Sequence, residues 1–301
     1  MKLKYLKDGA AVEILDADIT QMSESDYAFV KNILHEHLIV VIKNQSKRAW
    51  DYTRFIENIG SVANYPQMKF TSDGEDFPTD QVVKTDEWVG SKEGYPVQRV
   101  TGKKDNGRVT GIFGSGKLDW HANLNGHNRA DGVALQGWQH CENTSTSFLN
   151  TNLAYNDLDE DMLEQIKDLH CEYEYAPEVW AAGLPEDQLI RMKGNSNKYK
   201  MWLIQENIKG VKGLYFYTNN RCKLICDDQD LYNKIHDHLF QEKYIYQHWW
   251  EPGDIVLMDQ LLTLHKRDQN DPEILSKRVL HRITFAISNH SGFIANKNDI
   301  P

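Results

Sequence analysis

The sequence predicts a mainly β protein with helical additions, an antiparallel sandwich around which helices are placed at the start and in excursions. Three observations predict it. Short continuous apolar runs rich in β-branched residues, LIVVI at 38–42 and Ile255-Val256-Leu257-Met258, occur in both halves of the chain and read as buried strands. A Pro252-Gly253 turn leads into the second of them, as strand boundaries require. Helical periodicity is found at the start of the chain and between the later strands, so the helices are additions to a sheet core.

Taken in order, the first helix follows Ser23-Glu24-Ser25-Asp26, whose side chains can cap the free amides. Tyr27, Val30, Ile33 and Leu34 then recur at near-helical spacing. The run at 38–42 is a strand, and a second helix is predicted over 50–59 after the polar Asn44-Gln45-Ser46-Lys47. Residues 71–117 are rich in Gly, Asp, Lys and Ser with scattered apolar positions, which reads as a long loop holding one strand at 98–101. Because it runs directly into Trp120-His121, the loop is read as a lid-like insertion around 71–118 in one domain spanning 1–301. A strand follows at 132–138 and a helix at 157–169, with Leu158, Met162, Ile166 and Leu169 on one face. A polar excursion occupies 177–200. Strands at 214–217 and 255–258, separated by a helix at 230–240, precede a last strand at 279–288.

Composition excludes several functions. A chain of 301 residues with 40% hydrophobic and 26% charged residues is that of a soluble globular protein. No apolar run reaches the roughly 18 residues that span a bilayer, and the N-terminus lacks the apolar core of a signal peptide; a cytoplasmic protein is expected. The four cysteines form no disulfide pattern, and Cys222-x3-Cys226 finds no partners for a zinc site. A net charge of −10 disfavours nucleic acid, leaving a small-molecule substrate or an uncharged partner surface. Homo-oligomerisation stays open.

The chemistry concentrates in two segments. Trp120-His121-Ala122-Asn123 resembles half of a metal site, and Trp250-Glu-Pro-Gly-Asp254 leads through an apolar strand to His265. Two histidines and a carboxylate form the facial triad of non-haem Fe(II) oxygenases, which leaves three coordination positions open. Here the third residue is an amide. On an alternating strand His121 and Asn123 share a face, so the Asn123 oxygen can reach a metal as a neutral and weaker donor. Asp119, on the same face, and Asp131 are alternative carboxylates. Arg282 lies inside the apolar strand 279–288 and needs an anionic partner, since burying a lone charge is expensive. Each histidine taken singly has a bland reading as a hydrogen-bonded core residue. The pairs His35/His37 and His236/His238 read as solvated helix surface, and Trp249-Trp250 as sheet packing.

In order and spacing, Val12–Ile19, the LIVVIKNQ strand, the Trp120–Asn123 segment and the Trp250–His265 block with Arg282 resemble the taurine dioxygenase-like (TauD/TfdA) family of Fe(II)/2-oxoglutarate-dependent oxygenases. The resemblance covers nearly the whole chain. It implies a double-stranded β-helix (jelly roll) with the metal at its mouth. It further implies His121 and His265 as ligands of Fe(II), with Asn123 where the family has an acid, and Arg282 with Thr146 on the far carboxylate of 2-oxoglutarate. Arg278 is the alternative arginine. Asn64, Tyr65 and Phe216 fall where the family contacts substrate. The implied reaction uses O2, converts 2-oxoglutarate to succinate and CO2, and oxidises a small polar or amino-acid-like substrate. Asn123 leaves three outcomes: a hydroxylase with a neutral ligand, a halogenase-like variant, or a catalytically silent 2-oxoglutarate-binding protein.

Overall fold

The computed structural model describes residues 1–62, 97–105, 108–109, 111, 113, 118–123, 131–174, 198–216, 222–224, 227–268 and 270–287. Its strands are β1 (Lys2–Leu6), β2 (Ala11–Leu15), β3 (Ile39–Ile42), β4 (Ser61–Val62), β5 (Gln98–Thr101), β6 (Lys104–Asp105), β7 (Arg108–Val109), β8 (Gly132–Gln139) and β9 (Ser145–Asn150). They continue as β10 (His170–Glu174), β11 (Lys198–Trp202), β12 (Ile204–Glu206), β13 (Lys212–Leu214), β14 (Cys222–Leu224), β15 (Ile245–Trp249), β16 (Ile255–Asp259), β17 (Thr263–Arg267) and β18 (Val279–Ala286). The helices are α1 (Glu24–His37), α2 (Ala49–Ile59), α3 (Thr151–Asn156), α4 (Glu160–Ile166), α5 (Gln229–Leu239) and α6 (Pro272–Leu275). No helix among the described residues is long and apolar enough to cross a membrane.

The larger sheet runs β1-β2-β3-β16-β8-β18-β4, with β5 also paired to β18. Its pairs are antiparallel except β2 with β3. A smaller antiparallel sheet has the order β15-β9-β17. Alternation along β18 sorts its side chains: Ile283 and Phe285 join the cluster under α1 and α2, whereas Leu280 packs with Val133, Leu135, Val256 and Met258 against Phe148 of the smaller sheet and Trp250 just beyond it. Arg282 shares the parity of Leu280 and pairs with Leu135, so it faces the space between the sheets.

The α1 prediction is confirmed with its start signal. The Ser23 side chain accepts from the Asp26 amide while the Asp26 carboxylate accepts from the Ser23 amide, a capping box. In α2, Tyr52, Phe55, Ile56 and Ile59 are buried at helical spacing and cover the sheet. Gly60 ends it so close to the last strand that a Cβ there would collide with the carbonyl oxygen of Ala286.

Other expectations change. The helix expected at 157–169 is the shorter α4, whose start Asp159 caps, and an additional helix, α3, capped by Asn150, precedes it. The strand at 214–217 is β13, ending at Leu214. Of the two α1 histidines expected on the surface, His35 is buried and burial holds its imidazole down at about 4, while His37 lies against the ring of Tyr5. Residues two apart on a helix point in different directions; one therefore turned inward. The strand at 98–101 is present as β5, whereas residues 71–96 of the expected lid lie outside the described residues.

Replacing Gly60 by Ala is expected to cost roughly 1–3 kcal/mol, since the new methyl meets backbone that cannot yield. Thermal unfolding checks this, and an unchanged Tm would contradict the close approach of α2 to β18.

Candidate metal centre

β17 has β9 on one side and the 118–121 segment on the other. The His121 amide donates to the His265 carbonyl at 3.0 Å and the His265 amide to the His121 carbonyl at 2.9 Å. Residues exchanging both hydrogen bonds across an antiparallel pair project from the same face. Their rings lie 4.2 Å apart, centroid to centroid. Asn123 completes the group: its Nδ2 is 3.1 Å from His265 Nε2. The alternating strand expected over 121–123 is a single bridge followed by a bend. Asn123 is held instead by Gln260, whose Oε1 accepts its amide at 2.7 Å.

Local hydrogen bonds set the imidazole tautomers. His121 Nδ1 lies 2.7 Å from the Asp119 carbonyl; a carbonyl only accepts, so the proton sits on Nδ1 and Nε2 keeps its lone pair. His265 Nε2 accepts from the Asn123 amide, so its lone pair also points into the group. Burial pulls His121 down to about 4 and His265 well below the ordinary imidazole range. Arg282 adds to both depressions. Two neutral imidazoles with inward lone pairs are the form that binds metal.

Among the described residues no carboxylate completes a triad, and no cluster of three or more His, Cys, Asp and Glu could hold a metal ion. Asp119 engages His121 through its backbone carbonyl, and Asp131 receives the amide of Ile287. The third donor of the group is the Asn123 amide.

Three buried arginines face this chamber. Arg282 donates to Gln98 Oε1 and lies over the Phe113 ring at 5.7 Å. Arg267, two residues beyond His265 on its face, pairs across the sheet with Thr146 and donates to the Phe113 carbonyl. Burial lowers its pKa to about 10. Arg278 is drawn down to about 9 by burial, then by the charge of Arg267, and its Nη1 has no hydrogen-bond partner among the described residues. Arg267 went unrecognised in the sequence, although the period of two along Thr263–Arg267 placed it beside His265. Phe216 is fully buried against Tyr232 and Phe240. Asn64 and Tyr65 lie outside the described residues.

Asp259 sets the approach of β17. Its carboxylate accepts from the amides of Leu261 and Leu262, and its carbonyl accepts from the Thr263 hydroxyl. Burial, then the neighbouring Asp131, raises its pKa to about 7.

The family model described as taurine catabolism dioxygenase TauD, TfdA family, matches residues 2–284. Pentalenolactone F synthase of Streptomyces arenae is 29% identical over 87 residues, covering 28% of this chain and 28% of that protein. The alpha-ketoglutarate-dependent 2,4-dichlorophenoxyacetate dioxygenase of Burkholderia sp. (strain RASC) is 26% identical over 152 residues, covering 46% of this chain and 47% of its own length. The chain thus spans less than half the length of these two relatives. Among solved structures, AAD-2 in complex with Mn(II) and N-oxalylglycine aligns with TM-score 0.69 at 17% identity, over 96% of this chain and 97% of that one. A taurine dioxygenase from Burkholderia xenovorans aligns with TM-score 0.67 at 15% identity, over 94% and 90% of the two chains. At these identities the likeness is one of fold.

The Asp259 shift makes a signed prediction. Between the ordinary carboxylate range and about 7 the folded state holds a proton that the unfolded state releases, so this group's contribution to stability is lost as pH rises through that window. Asp259→Asn keeps an acceptor for Leu261 and Leu262 without the charge. Its Tm relative to wild type should rise from about pH 5 to pH 8; a pH-independent difference would contradict the assignment.

Proposed function

The chain belongs to the taurine catabolism dioxygenase TauD/TfdA family, and from that premise we propose that it is an Fe(II)/2-oxoglutarate-dependent oxygenase. Its substrate is a small polar metabolite or an amino-acid-like molecule. The observation that carries this reading is the convergence of His121, Asn123 and His265, two inward lone pairs and an amide on one face. The two packed sheets are read as the double-stranded β-helix of the family, in one domain.

The residues fit Fe(II). His121 Nε2 and His265 Nε2 would supply the nitrogens, and a half-turn of the Asn123 amide would put Oδ1 where Nδ2 now lies, since the two ends have nearly the same shape. The Asp119 carbonyl behind His121 fixes ring orientation, as a metal-ligating histidine requires. When bound, iron and 2-oxoglutarate supply the oxidative decarboxylation to succinate and CO2 that is coupled to oxidation of a C–H bond by O2.

Thr146 hydrogen-bonds the far carboxylate of 2-oxoglutarate in this reading. The cross-strand pairing of Thr146 with Arg267, and the closeness of Arg267 to Arg278, support Arg278 rather than Arg282 as the guanidinium partner at that end. Arg282, whose charge acts on both histidines, then faces the reacting groups. Phe148 and Phe113 wall the chamber with apolar surface, which excludes water and strengthens the electrostatic contacts inside. Phe216, with Asn64 and Tyr65, is carried as a substrate-side residue by the family resemblance.

One observation favours a second reading, a catalytically silent 2-oxoglutarate-binding protein. The Asn123 amide occupies the His265 lone pair, a hydrogen bond worth about 1 kcal/mol that a metal must displace. Purified protein given Fe(II), ascorbate and 2-oxoglutarate under air separates the two. The oxygenase releases succinate, slowly even without substrate; binding of 2-oxoglutarate with no succinate across a broad substrate panel establishes the silent protein. Asn123→Asp restores a charged oxygen donor and should tighten Mn(II) binding by on the order of tenfold, measured by calorimetry; equal or weaker binding would mean that position 123 does not face the metal.

A further inference from the structure

Thr146 is the inner-face residue of β9 between His248 of β15 and Arg267 of β17. Its hydroxyl has one partner with a fixed role. The indole N–H of Trp250, which is 1% exposed, donates to Thr146 Oγ1 at 2.9 Å. An indole N–H can only donate, so the Thr146 oxygen is the acceptor and its own proton is turned away from Trp250. The remaining directions lead into the chamber shared with Arg267, Phe148 and His265.

Trp250 is itself held. His248 meets its ring edge to face, with centroids 4.5 Å apart at 79°. The Tyr246 hydroxyl lies 2.9 Å from His248 Nδ1, while His248 Nε2 approaches the Asp254 carboxylate at 3.2 Å without hydrogen-bond geometry. Both His248 and Asp254 are buried, and Lys43 reaches Asp254 from the surface at 3.7 Å. Asp254 is fixed in turn by Gly253, whose φ of +93° is left-handed and whose amide donates to the Gly137 carbonyl. Two ionisable side chains are thus buried behind Trp250, at a cost that packing alone does not require. This is far more apparatus than a packing tryptophan needs.

Resting on the oxygenase reading, we propose that Trp250, held by the His248–Asp254 pair, is a positioning residue for the cosubstrate: its N–H fixes the Thr146 hydroxyl so that the hydroxyl proton is presented to the far carboxylate of 2-oxoglutarate. The device matters because a freely rotating hydroxyl has three staggered directions and a carboxylate gains only from one. A hydrogen bond to a charged group is worth enough that losing its alignment weakens binding by about tenfold.

The test is a double-mutant cycle on full-length protein loaded with Mn(II), titrated calorimetrically with 2-oxoglutarate. Trp250→Phe keeps an aromatic ring, though a smaller one, and removes the donor; Thr146→Val keeps the shape and removes the hydroxyl. Each should weaken 2-oxoglutarate by about tenfold, and the double variant should bind no worse than Thr146→Val alone, because the indole acts through the hydroxyl. Affinity for Mn(II) without 2-oxoglutarate should stay within about twofold of wild type. Additive losses, or a Trp250→Phe protein that binds 2-oxoglutarate as wild type does, overturn the proposal while leaving the oxygenase reading standing. Failure of the wild type itself to bind 2-oxoglutarate overturns both. Should Trp250→Phe not fold, the structure of the wild type with Mn(II) and 2-oxoglutarate decides the matter: the Trp250 Nε1–Thr146 Oγ1 hydrogen bond is expected to persist with Oγ1 on the far carboxylate, and its loss in the complex overturns the proposal.

Discussion

The reciprocal hydrogen bonds between the backbones of His121 and His265 are the constraint on which the rest of the site depends. They attach a segment outside the regular strands to β17, and they do so in the one register that puts both imidazoles on the inner face. A shift of a single residue would turn one ring outward, because side chains alternate along a strand. What fixes β17 therefore fixes the site. On one side it is zipped to β9 from Thr263 to Arg267, and at its start Asp259 and Gln260 hold the incoming turn and the Asn123 backbone.

The electrostatics follow from burial. Desolvation keeps both imidazoles neutral, and an amide replaces the acid that such a triad ordinarily carries. The protein's donors at the group thus bring no negative charge, while Arg267, Arg278 and Arg282 bring positive charge to the same chamber. A dication is poorly received there on its own. In the proposed reading it would be received together with a dicarboxylate, whose far end the guanidiniums would meet. With Asn123 in the acid's place, the proposed reading moves charge balance from the protein to the cosubstrate, and would couple metal binding to cosubstrate binding more tightly than a carboxylate would.

Much of the scaffold was legible because its strands are apolar. β3, β5, β8, β16 and β18 were found in the sequence, as were α1, α2 and α5, whose periodic faces cover the sheet or pack beside it. The smaller sheet was not. β9 (STSFLN) and β17 (TLHKR) carry hydroxyls, His and Arg where a core strand carries Val or Ile, yet both are almost wholly buried. Their polar residues line the chamber or bond Asp268 from the opposite face. Hydropathy fails where the fold is spent on chemistry. His121, Asn123, His265, Arg282 and Thr146 were nevertheless marked through motif order. Arg267 and Gln260 were missed because their roles come from pairing and turn geometry, which a linear motif does not carry.

The central claim is that Asn123 serves the metal as a neutral oxygen donor. A crystal structure of the protein with Fe(II) and 2-oxoglutarate, grown without oxygen, tests it most directly. The expected result is one iron coordinated by His121 Nε2, His265 Nε2 and Asn123 Oδ1, with 2-oxoglutarate chelating it and Thr146 on the far carboxylate. Iron held by the two histidines alone, with the Asn123 amide still hydrogen-bonded to His265, would contradict it.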